Sequence, residues 1–260
     1  MKYRSLLIGS TKQKHMITID QSQAYSLNGI RKKHLRSYIQ NKTAFLIFKR
    51  VFDILVSFTI IIFLLSWLIP LLGIIIKLNS RGPIFFIQRR VGRGLKSFSC
   101  IKFRTMVLNC EANKCPTTDN DCRITSIGKF LRKTSFDELP QFINVLIGDM
   151  SIVGPRPHMF YDCKRFSNYI QYYKFRSLVR PGITGLAQVK GFRGPAEDPY
   201  AIASRFSYDS MYIRQMSFAL DLNIVLTTAV QTFNVVLFKS RAERKRLKRL
   251  KEEEGKKIAA

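Results

Sequence analysis

Residues 51–76 read VFDILVSFTIIIFLLSWLIPLLGIII, and this is the one stretch of the chain whose composition suits the interior of a membrane. Its 26 residues contain a single ionisable side chain, Asp53, near the start. About 20 apolar residues suffice for a helix to cross a bilayer. A buried core helix is the alternative interpretation, but the length and uniformity of the stretch favour a membrane segment.

Positive charge flanks this segment on both sides. Lys49 and Arg50 precede it, and Lys77 and Arg81 follow it. Because lysine and arginine accumulate on the cytoplasmic side of membrane segments, a simple span would place one strongly basic end outside. We therefore predict a re-entrant membrane hairpin over residues 45–78, with both of its ends on the cytoplasmic face.

A re-entrant helix needs a break near its middle. Ser66, Trp67 and Pro70 are the candidates for this membrane break. Proline lacks the amide hydrogen and kinks a helix, and tryptophan prefers the interface between membrane and water. We expect the hairpin to turn at these residues.

The whole chain is strongly basic. It has 44 lysines and arginines against 17 acidic residues, a net charge of +27. Such a charge favours nucleic acid, an anionic membrane or phosphorylated substrates as partners. Residues 1–44 form a basic extension, whose cluster at residues 31–36 is either a solvated face or, as we favour, a patch on anionic membrane lipids. Residues 239–260 form a charged tail, which is a solvated helix or disordered.

The five cysteines do not suggest a disulfide framework. Their number is odd, their spacing is irregular, and no cleavable signal peptide precedes them, so we interpret them as reduced thiols facing the cytosol. Cys110, Cys115 and Cys122 could form a zinc cluster, but their spacing is not a standard one for that metal.

The part of the chain that follows the membrane segment has the pattern of a β-hairpin. Residues 79–83 have the composition of a turn, and residues 84–88 and 98–103 resemble short strands with a glycine-containing turn between them. Lys102 and Arg104 alternate with a phenylalanine, so we expect both to project to one face.

The C-terminal half of the chain mixes helices with turns. We predict an amphipathic helix over residues 159–178, on a membrane surface or facing protein, and a tight turn over residues 179–185. A short strand at residues 186–189 and a helix over residues 204–213 follow. Residues 220–238 are apolar but interrupted by polar side chains, so they predict an interfacial or packed helix and not a span.

An adjacent acid pair, Asp137 and Glu138, opens an amphipathic segment that ends at Gly148. Glu138 lies three residues after Ser135, a spacing that fits a helix capping box, and acidic residues are favoured in the first turn of a helix. Pro140 also suits a helix start. From the local pattern alone, helix capping is the favoured role of the pair.

The same pair has a catalytic interpretation. Neighbouring helix residues point about 100° apart, so two carboxylates can approach one phosphate from different sides. One could attack phosphorus while the other holds a divalent cation. Arg132 before the pair and Arg156 after it are suited to binding a phosphate.

A series of motifs runs through the chain in a fixed order, with the acid pair inside the central motif SFDELPQ at residues 135–141. The others are KRVFD at 49–53, IKLNSRGP at 76–83, KFRTM at 102–106, RIT at 123–125, GKFLRK at 128–133, NVLIGDMS at 144–151, VGPRP at 153–157, RPGITGL at 180–186, and the region from Asp209 to Tyr212. In this order they resemble the bacterial sugar transferases, the monotopic phosphoglycosyl transferases that act as polyprenyl-phosphate hexose-1-phosphate transferases. The resemblance covers residues 45–238 and outweighs the capping interpretation of the pair.

The resemblance implies transfer of a sugar-1-phosphate from a UDP-sugar to polyprenyl (undecaprenyl) phosphate, with release of UMP. The aspartate of the family's pair, here Asp137, is implied as the nucleophile that forms a covalent phosphosugar intermediate. The glutamate, here Glu138, is implied at Mg²⁺, and we expect both carboxylates near that metal. Arg132 and Arg156 match basic residues around the phosphates. Further matching positions with an expected part in phosphate binding are Lys102, Arg104 and Asp209.

The resemblance also implies a fold and a location. It suggests an α+β, monotopic membrane protein with an N-terminal re-entrant membrane helix, amphipathic interfacial helices and a small cytoplasmic catalytic domain over residues 79–238. The expected place is the cytoplasmic face of the bacterial inner membrane. The expected role is the first membrane step of exopolysaccharide, O-antigen, capsule or glycoprotein glycan assembly. The sugar, the pathway and the oligomeric state stay open, with a homodimer as one option.

The chain departs from the family pattern in three places. Family members often have Ser-Pro at the membrane break, where this chain has Ser66 and Trp67, with its proline displaced to Pro70. A frequent Asn-Trp-Ser appears here as Gln-Met-Ser at residues 215–217. Larger members carry several transmembrane helices before the catalytic part, and residues 1–44 hold no such run, so we expect a short form.

Two other classes of function provide alternatives. A basic nucleic-acid-binding protein fits the net charge, but not the apolar segment, so nucleic acid is not expected as a partner. An inactive membrane-anchored scaffold of the same fold is the second alternative, and the intact set of Asp137, Glu138 and Arg156 argues against it.

Overall fold

The computed structural model describes residues 42–107, 121–170, 172–193 and 199–237. The chain divides into two compact units, Met1–Thr43 and Ala44–Ala260, and the fold below is that of the second unit. The predicted basic cluster at residues 31–36 and the charged tail lie outside the described residues. So do Cys110 and Cys115 of the zinc hypothesis, while Cys100, Cys122 and Cys163 are free thiols.

The first helix, α1, runs from Thr43 to Asn79 and contains the membrane segment. Its C-terminal half packs into the core, where Leu68, Leu72 and Ile76 meet Phe103 and Leu131. Much of the remaining surface of α1 is exposed and apolar, although water disfavours such a surface. Large exposed side chains on it are Ile47, Phe48, Leu55, Phe58, Phe63, Ile74 and Leu78.

The regular α-helical geometry of α1 is interrupted by a π-helical turn at Ile61–Leu65, directly before the predicted membrane break. Ser66 donates its hydroxyl to the Ile62 carbonyl at 2.5 Å, and Trp67 donates its indole N–H to the Phe63 carbonyl at 2.9 Å. The helix then continues through Pro70. A π-bulge and a proline are recognised causes of helix bending, and the re-entrant hairpin itself stays a prediction.

Two short sheets follow α1. Strands β1 (Phe85–Val91) and β2 (Ser97–Phe103) form an antiparallel hairpin, which confirms the predicted strands. Its turn contains Gly94 at φ 66°, where glycine is the residue that adopts this conformation most easily. Strands β3 (Ser151–Val153) and β4 (Gly182–Thr184) pair in parallel.

The parallel pair brings two backbones unusually close together. A Cβ atom on Gly154 would lie 2.5 Å from the Arg180 carbonyl oxygen, and one on Gly182 would lie 2.1 Å from the Gly154 nitrogen. Backbone atoms cannot yield to such contacts, so both positions require glycine. This contact fixes the path of the chain just before Arg156.

The hairpin and the parallel pair are joined by helices α2 (Ser126–Thr134) and α3 (Gln141–Ile147).

Beyond β3 the predicted secondary structure needs correction. The predicted helix over residues 159–178 is broken: α4 covers Phe160–Tyr169, and a separate 3₁₀-helix covers Tyr173–Leu178. Tyr172 between them has φ 63°, which a right-handed helix does not accommodate.

The predictions for residues 179–189 are wrong in detail. The expected tight turn contains strand β4, and the expected strand is a short helix, α5 (Leu186–Val189). A segment of four residues is too short for its pattern to distinguish helix from strand, so tertiary packing decides between them.

The last two helices are α6 (Pro199–Gln215) and α7 (Phe218–Leu237). Polar side chains of α7 face the protein: Thr228 contacts the Thr184 hydroxyl at 2.7 Å, and Gln231 donates to the Val189 carbonyl at 3.0 Å. Apart from the buried Ile224, most of the large apolar side chains of α7 point outward instead. Those exposed include Leu222, Leu226, Val230 and Phe233.

Like α1, helix α7 is long and apolar enough to cross a membrane by length and composition. Its start packs against the N-terminal part of α1, where Phe218 makes edge-to-face contacts with Phe48 and Phe52. Lys49 also forms a 2.5 Å ion pair with Asp221. The two exposed apolar surfaces are therefore carried by helices that contact one another.

Candidate active site

The acid pair lies in a tight connection between two helices. Helix α2 ends where Ser135 adopts a left-handed conformation, with φ 60°, and a single 3₁₀ turn, Phe136–Glu138, follows. The residue that caps α3 is Pro140, which supplies no side-chain hydrogen bond. The capping-box interpretation of Ser135 and Glu138 is therefore wrong, because the Glu138 carboxylate has other partners.

Glu138 is buried and binds two cations. Its Oε1 accepts hydrogen bonds from Lys102 Nζ at 2.6 Å and from Arg156 Nη2 at 2.6 Å. Its Oε2 accepts a third bond from Arg156 Nη1 at 3.0 Å, which makes the contact with Arg156 bidentate. Charge-assisted bidentate pairs are strong and directional, so Glu138 fixes both cations in place.

Burial alone would raise the pKa of Glu138, but the charges and hydrogen bonds of Arg156 and Lys102 outweigh it and hold the pKa below its usual range. The charge of Glu138 raises the pKa of Arg156 in turn. Both groups therefore remain ionised across the physiological pH range.

Asp137 differs from its neighbour. It is half-buried, and within the described residues its carboxylate forms neither a hydrogen bond nor an ion pair. Burial and the charge of Glu138 raise its pKa to about 6, although Lys102, Arg156 and Arg132 act in the opposite direction. A carboxylate with no partner, surrounded by cations, is available to react with an incoming group.

Arg132 lies beside the pair at the end of α2. Its Nε donates to the Thr105 hydroxyl at 2.8 Å, which orients the guanidinium. Burial lowers the pKa of Arg132, and the charge of Asp137 partly restores it. Helix α2 can lie this close because residue 128 is glycine. A Cβ atom at Gly128 would lie only 2.0 Å from the Thr105 carbonyl oxygen. Arg132 therefore adds positive charge next to Asp137.

Arg104, which we expected at the phosphates, has a different environment. Its guanidinium donates to the Ser80 carbonyl at 2.6 Å, to the Arg81 carbonyl, and more weakly to the Ile76 carbonyl at 3.5 Å. It thus binds the carbonyl groups at the C-terminal end of α1. Lys102 and Arg104 contact different parts of the protein, although they are two residues apart.

Asp209 reaches the site only through an intermediary. Its Oδ2 accepts a 2.6 Å hydrogen bond from Arg176, and the same nitrogen of Arg176 donates to the Arg156 carbonyl at 2.9 Å. Arg176 also donates to the Tyr173 hydroxyl at 2.9 Å. Asp209 therefore supports the backbone of Arg156, and within the described residues it forms no hydrogen bond or ion pair with Asp137 or Glu138.

The sequence analysis missed several residues around this site. Asn144 on α3 accepts from the Ile101 amide at 3.0 Å and donates to the Ser99 carbonyl at 2.8 Å, so it holds β2 against α3. The signal available in the sequence was that Asn144 is a polar residue on the apolar side of α3.

Arg176 carried no local signal, since its ion-pair partner Asp209 is distant in sequence. Arg193 and Arg205 also contribute positive charge near the site, because the pKa of both is lowered by burial and also by the charge of Arg156.

The described residues contain no cluster of three or more histidines, cysteines or carboxylates that could hold a metal by themselves. A site for Mg²⁺ does not require one, because this ion commonly uses one or two carboxylates together with substrate phosphates. Glu138 Oε2 accepts a single hydrogen bond, so it retains a lone pair for a cation. The residues therefore fit Mg²⁺ only with further oxygen ligands from a bound phosphate.

Comparison with known proteins identifies related sequences. A family model described as bacterial sugar transferase matches residues 44–235. The UDP-glucose:undecaprenyl-phosphate glucose-1-phosphate transferase of Klebsiella pneumoniae is 44% identical over 189 residues, which is 72% of this chain and 40% of that protein. The exopolysaccharide production protein PSS of Rhizobium leguminosarum bv. phaseoli is 40% identical over 190 residues, 71% of this chain and 94% of that protein.

A third relative carries a different sugar in its name. The UDP-N-acetylgalactosamine-undecaprenyl-phosphate N-acetylgalactosaminephosphotransferase of Aeromonas hydrophila is 43% identical over 182 residues, 69% of this chain and 42% of that protein. The chain thus spans less than half the length of the Klebsiella and Aeromonas relatives. The matched region nevertheless contains the acid pair and every cation described around it.

Proposed function

Since the chain belongs to the bacterial sugar transferase family, we propose that it transfers a sugar-1-phosphate from a UDP-sugar to polyprenyl phosphate and releases UMP. The observation that carries this proposal is the contrast within the acid pair. Glu138 is held by Lys102 and Arg156, whereas Asp137 beside it has no partner among the described residues. An unpaired carboxylate next to fixed cations suits attack on a phosphate.

In the first half-reaction, an Asp137 oxygen bonds to the sugar-linked phosphorus, and the bond from that phosphorus to the bridging oxygen of UMP breaks. The sugar phosphate is then attached to the carboxylate as an acyl phosphate. In the second half-reaction, an oxygen of polyprenyl phosphate attacks the same phosphorus. The bond from phosphorus to the Asp137 oxygen breaks, and the free carboxylate is regenerated. No oxidant or reductant takes part, and the products are UMP and a polyprenyl diphosphate sugar.

The cations of the site support this chemistry. An anionic nucleophile approaching an anionic phosphate is repelled unless positive charge neutralises the reacting group. Lys102, Arg132 and Arg156 lower the pKa of Asp137 and thus lie close enough to act on it. We assign the same three side chains to binding the diphosphate of the UDP-sugar.

Mg²⁺ is proposed as the cofactor, held by Glu138 and by substrate phosphate oxygens, with Asp137 adjacent to it. When bound, this ion would neutralise phosphate charge and orient the leaving UMP. Lys102 and Arg156 keep Glu138 ionised, which suits it to binding a cation. Asp137 is kept for attack because its oxygens are not tied up by these contacts.

A membrane location is supported by the outward faces of α1 and α7, whose exposed apolar side chains suit lipid better than water. We propose that α1 is re-entrant and that the catalytic residues lie at the cytoplasmic face of the inner membrane, where a soluble UDP-sugar and a lipid phosphate can meet at one site. By analogy with the Rhizobium relative named for exopolysaccharide production, the product would enter the first membrane step of a glycan assembly pathway.

The proposal is tested by UMP release from a panel of UDP-sugars, with detergent-extracted protein, polyprenyl phosphate and Mg²⁺. We expect Asp137→Asn to lower the rate by about 10⁴-fold or more, because the neutral amide of asparagine cannot form the acyl phosphate. Asp162→Asn, a half-buried aspartate on α4, is the matched control and should retain activity.

A mass increase of wild-type protein equal to one sugar phosphate, absent in Asp137→Asn, would support the covalent step. Equal rates for wild type and Asp137→Asn would exclude Asp137 as the nucleophile. Activity with one UDP-sugar and not the others would identify the sugar.

A further inference from the structure

A pocket lies at the N-terminal part of α1, and its lining residues differ from those of the acid-pair site. Its charged lining residues are Lys49, Arg50 and Asp53 of α1, Arg93 of the β1–β2 turn, and Arg180 just before β4. None of Lys102, Asp137, Glu138 or Arg156 lines it.

The charges in this pocket are unbalanced. Lys49 is already paired with Asp221 at 2.5 Å. The Asp53 carboxylate accepts a hydrogen bond from the Ile152 amide at 3.1 Å. The three remaining guanidinium groups, those of Arg50, Arg93 and Arg180, therefore face a single carboxylate, and like charges brought together without counterions repel one another.

Two of the three guanidinium groups are fixed by the C-terminal end of α3. Arg50 donates to the Val145 carbonyl at 2.6 Å and to the Leu146 carbonyl at 2.9 Å, and Arg180 Nε donates to the Gly148 carbonyl at 2.9 Å. Burial lowers the pKa of Arg180, and the nearby charges of Arg50 and Arg93 lower it further. The guanidinium groups of Arg50 and Arg180 are thus anchored to the same helix end before any ligand arrives.

Donors remain available in this arrangement. Within residues 42–107, 121–170, 172–193 and 199–237, the guanidinium of Arg93 forms no hydrogen bond or ion pair, and Arg180 uses only its Nε. Guanidinium N–H groups that converge on one pocket match the oxygens of a phosphate, which accepts several hydrogen bonds.

From this geometry we propose that Arg50, Arg93 and Arg180 form a second anion site, which binds the phosphate group of an anionic phospholipid or of a soluble phosphate. The neighbouring surface favours the lipid source. Ile47 and Phe48 of α1 are 62% and 55% exposed beside the pocket, so a membrane that covers them would bring its headgroups to this depth.

The test compares two substitutions on the same hairpin. Arg93→Gln removes the free guanidinium of the pocket, and Arg89→Gln removes an exposed arginine of β1 that does not line it. Both change the net charge equally, and both positions are exposed, so we expect both proteins to fold.

The first arm measures phosphatidylglycerol retained by each detergent-extracted protein in native mass spectrometry, with phosphatidylcholine as the zwitterionic reference. The second arm measures the shift of the thermal unfolding midpoint with inorganic phosphate, against chloride at equal ionic strength. We expect Arg93→Gln to bind the phosphate group roughly tenfold more weakly than wild type, and Arg89→Gln to match wild type.

A defect of Arg93→Gln in the lipid arm alone identifies the headgroup as the source, and a defect in the phosphate arm alone identifies a soluble phosphate. Phosphate bound at the acid pair contributes equally to both variants, so the difference between them reports the pocket. Equal behaviour of Arg93→Gln and Arg89→Gln in both arms overturns the proposal. No UDP-sugar is present, so the outcome is independent of the proposed transferase reaction.

Discussion

Two clusters of buried charge stand side by side in this protein, and they differ in how completely their groups are paired. In the acid-pair cluster, Lys102, Glu138 and Arg156 bind one another, but Asp137 has no partner within the described residues. In the Asp209 cluster, Arg176 and Asp209 are enclosed, with side chains 7% and 3% exposed, and are joined at 2.6 Å.

The difference indicates that the two clusters have different roles. A fully enclosed ion pair offers no access to a ligand, so the Asp209 cluster can only hold the backbone of Arg156 in position. The acid-pair cluster is similarly fixed at Glu138, yet it leaves one carboxylate open to an incoming phosphate. In the proposed reaction, paired charges thus supply the geometry, and the carboxylate that is left unpaired supplies the reactivity.

The sharpest way to break this comparison is Glu138→Gln. The substitution leaves Lys102 and Arg156 without their shared counterion, so we expect a loss of about 3 kcal/mol in the free energy of unfolding. The rate of UMP release should fall about 10²–10³-fold, because the cations are no longer held at the phosphate.

Thermal unfolding and single-substrate kinetics on the same preparation provide the measurement for Glu138→Gln. Glu254 lies outside the described residues, in the charged tail, and Glu254→Gln serves as a charge-matched control. A folded Glu138→Gln protein with activity within tenfold of wild type would contradict the assigned role of this residue.

Asp209→Asn tests the other cluster. It should also destabilise the fold by about 3 kcal/mol, because Arg176 becomes a buried cation without a counterion. Its effect on rate should be smaller, less than about tenfold at temperatures where the protein remains folded, since Arg176 still donates to the Arg156 carbonyl. The measurement is kcat at several temperatures below the unfolding transition. A rate loss as large as that of Glu138→Gln would remove the distinction between the clusters.

The pH dependence of the rate reports on Asp137. Its pKa is raised to about 6, and only the ionised carboxylate can attack, so the rate should rise with pH through about 6 and level off above 7. Between pH 7 and pH 5 we expect a fall of roughly tenfold. Because Lys102 lowers this pKa, Lys102→Gln should move the midpoint upward, whereas Asp209→Asn should leave it in place. A rate that is constant from pH 5 to pH 7 would argue against Asp137 as the attacking group.

The smallest expected effect is on stability. The pKa of Asp137 is higher in the folded protein than the ordinary value of 3.8, so the folded state binds the proton more tightly than the unfolded state. The free energy of unfolding contributed by this group therefore falls as pH rises from about 4 to about 6. Asp137→Asn removes this penalty, so its melting temperature relative to wild type should increase from pH 4 to pH 7. If the melting temperature of Asp137→Asn decreased relative to wild type over this range, the ionised carboxylate would be stabilised by its surroundings and not destabilised.

Much of the fold could be predicted because its signals are local. The apolar run of α1 and the alternating strands of the hairpin are properties of consecutive residues, so their positions follow from the sequence. The segment from Met159 to Leu178 was harder, because a single residue, Tyr172, reverses the chain there. The four residues Leu186–Val189 form a helix that their composition does not distinguish from a strand.

The site shows the same limit. Lys102 and Arg104 look equivalent in the sequence, yet β2 ends at Phe103, and Arg104 turns to the carbonyl groups at the end of α1. Arg176 could not be found at all, because its role depends on Asp209, 33 residues away, and on the Arg156 carbonyl. Contacts of this kind are created only when distant segments pack together.

The sequence by itself determined which groups are present: an acid pair, the arginines on either side of it, and an apolar segment with basic ends. The tertiary structure decided which carboxylate is paired and which is left free. Pairing depends on distances between side chains from β2, the 3₁₀ turn and the loop after β3, and the pKa of Asp137 depends on how deeply these elements bury it. Both are properties of the packed protein, because burial and charge proximity do not exist in an extended chain.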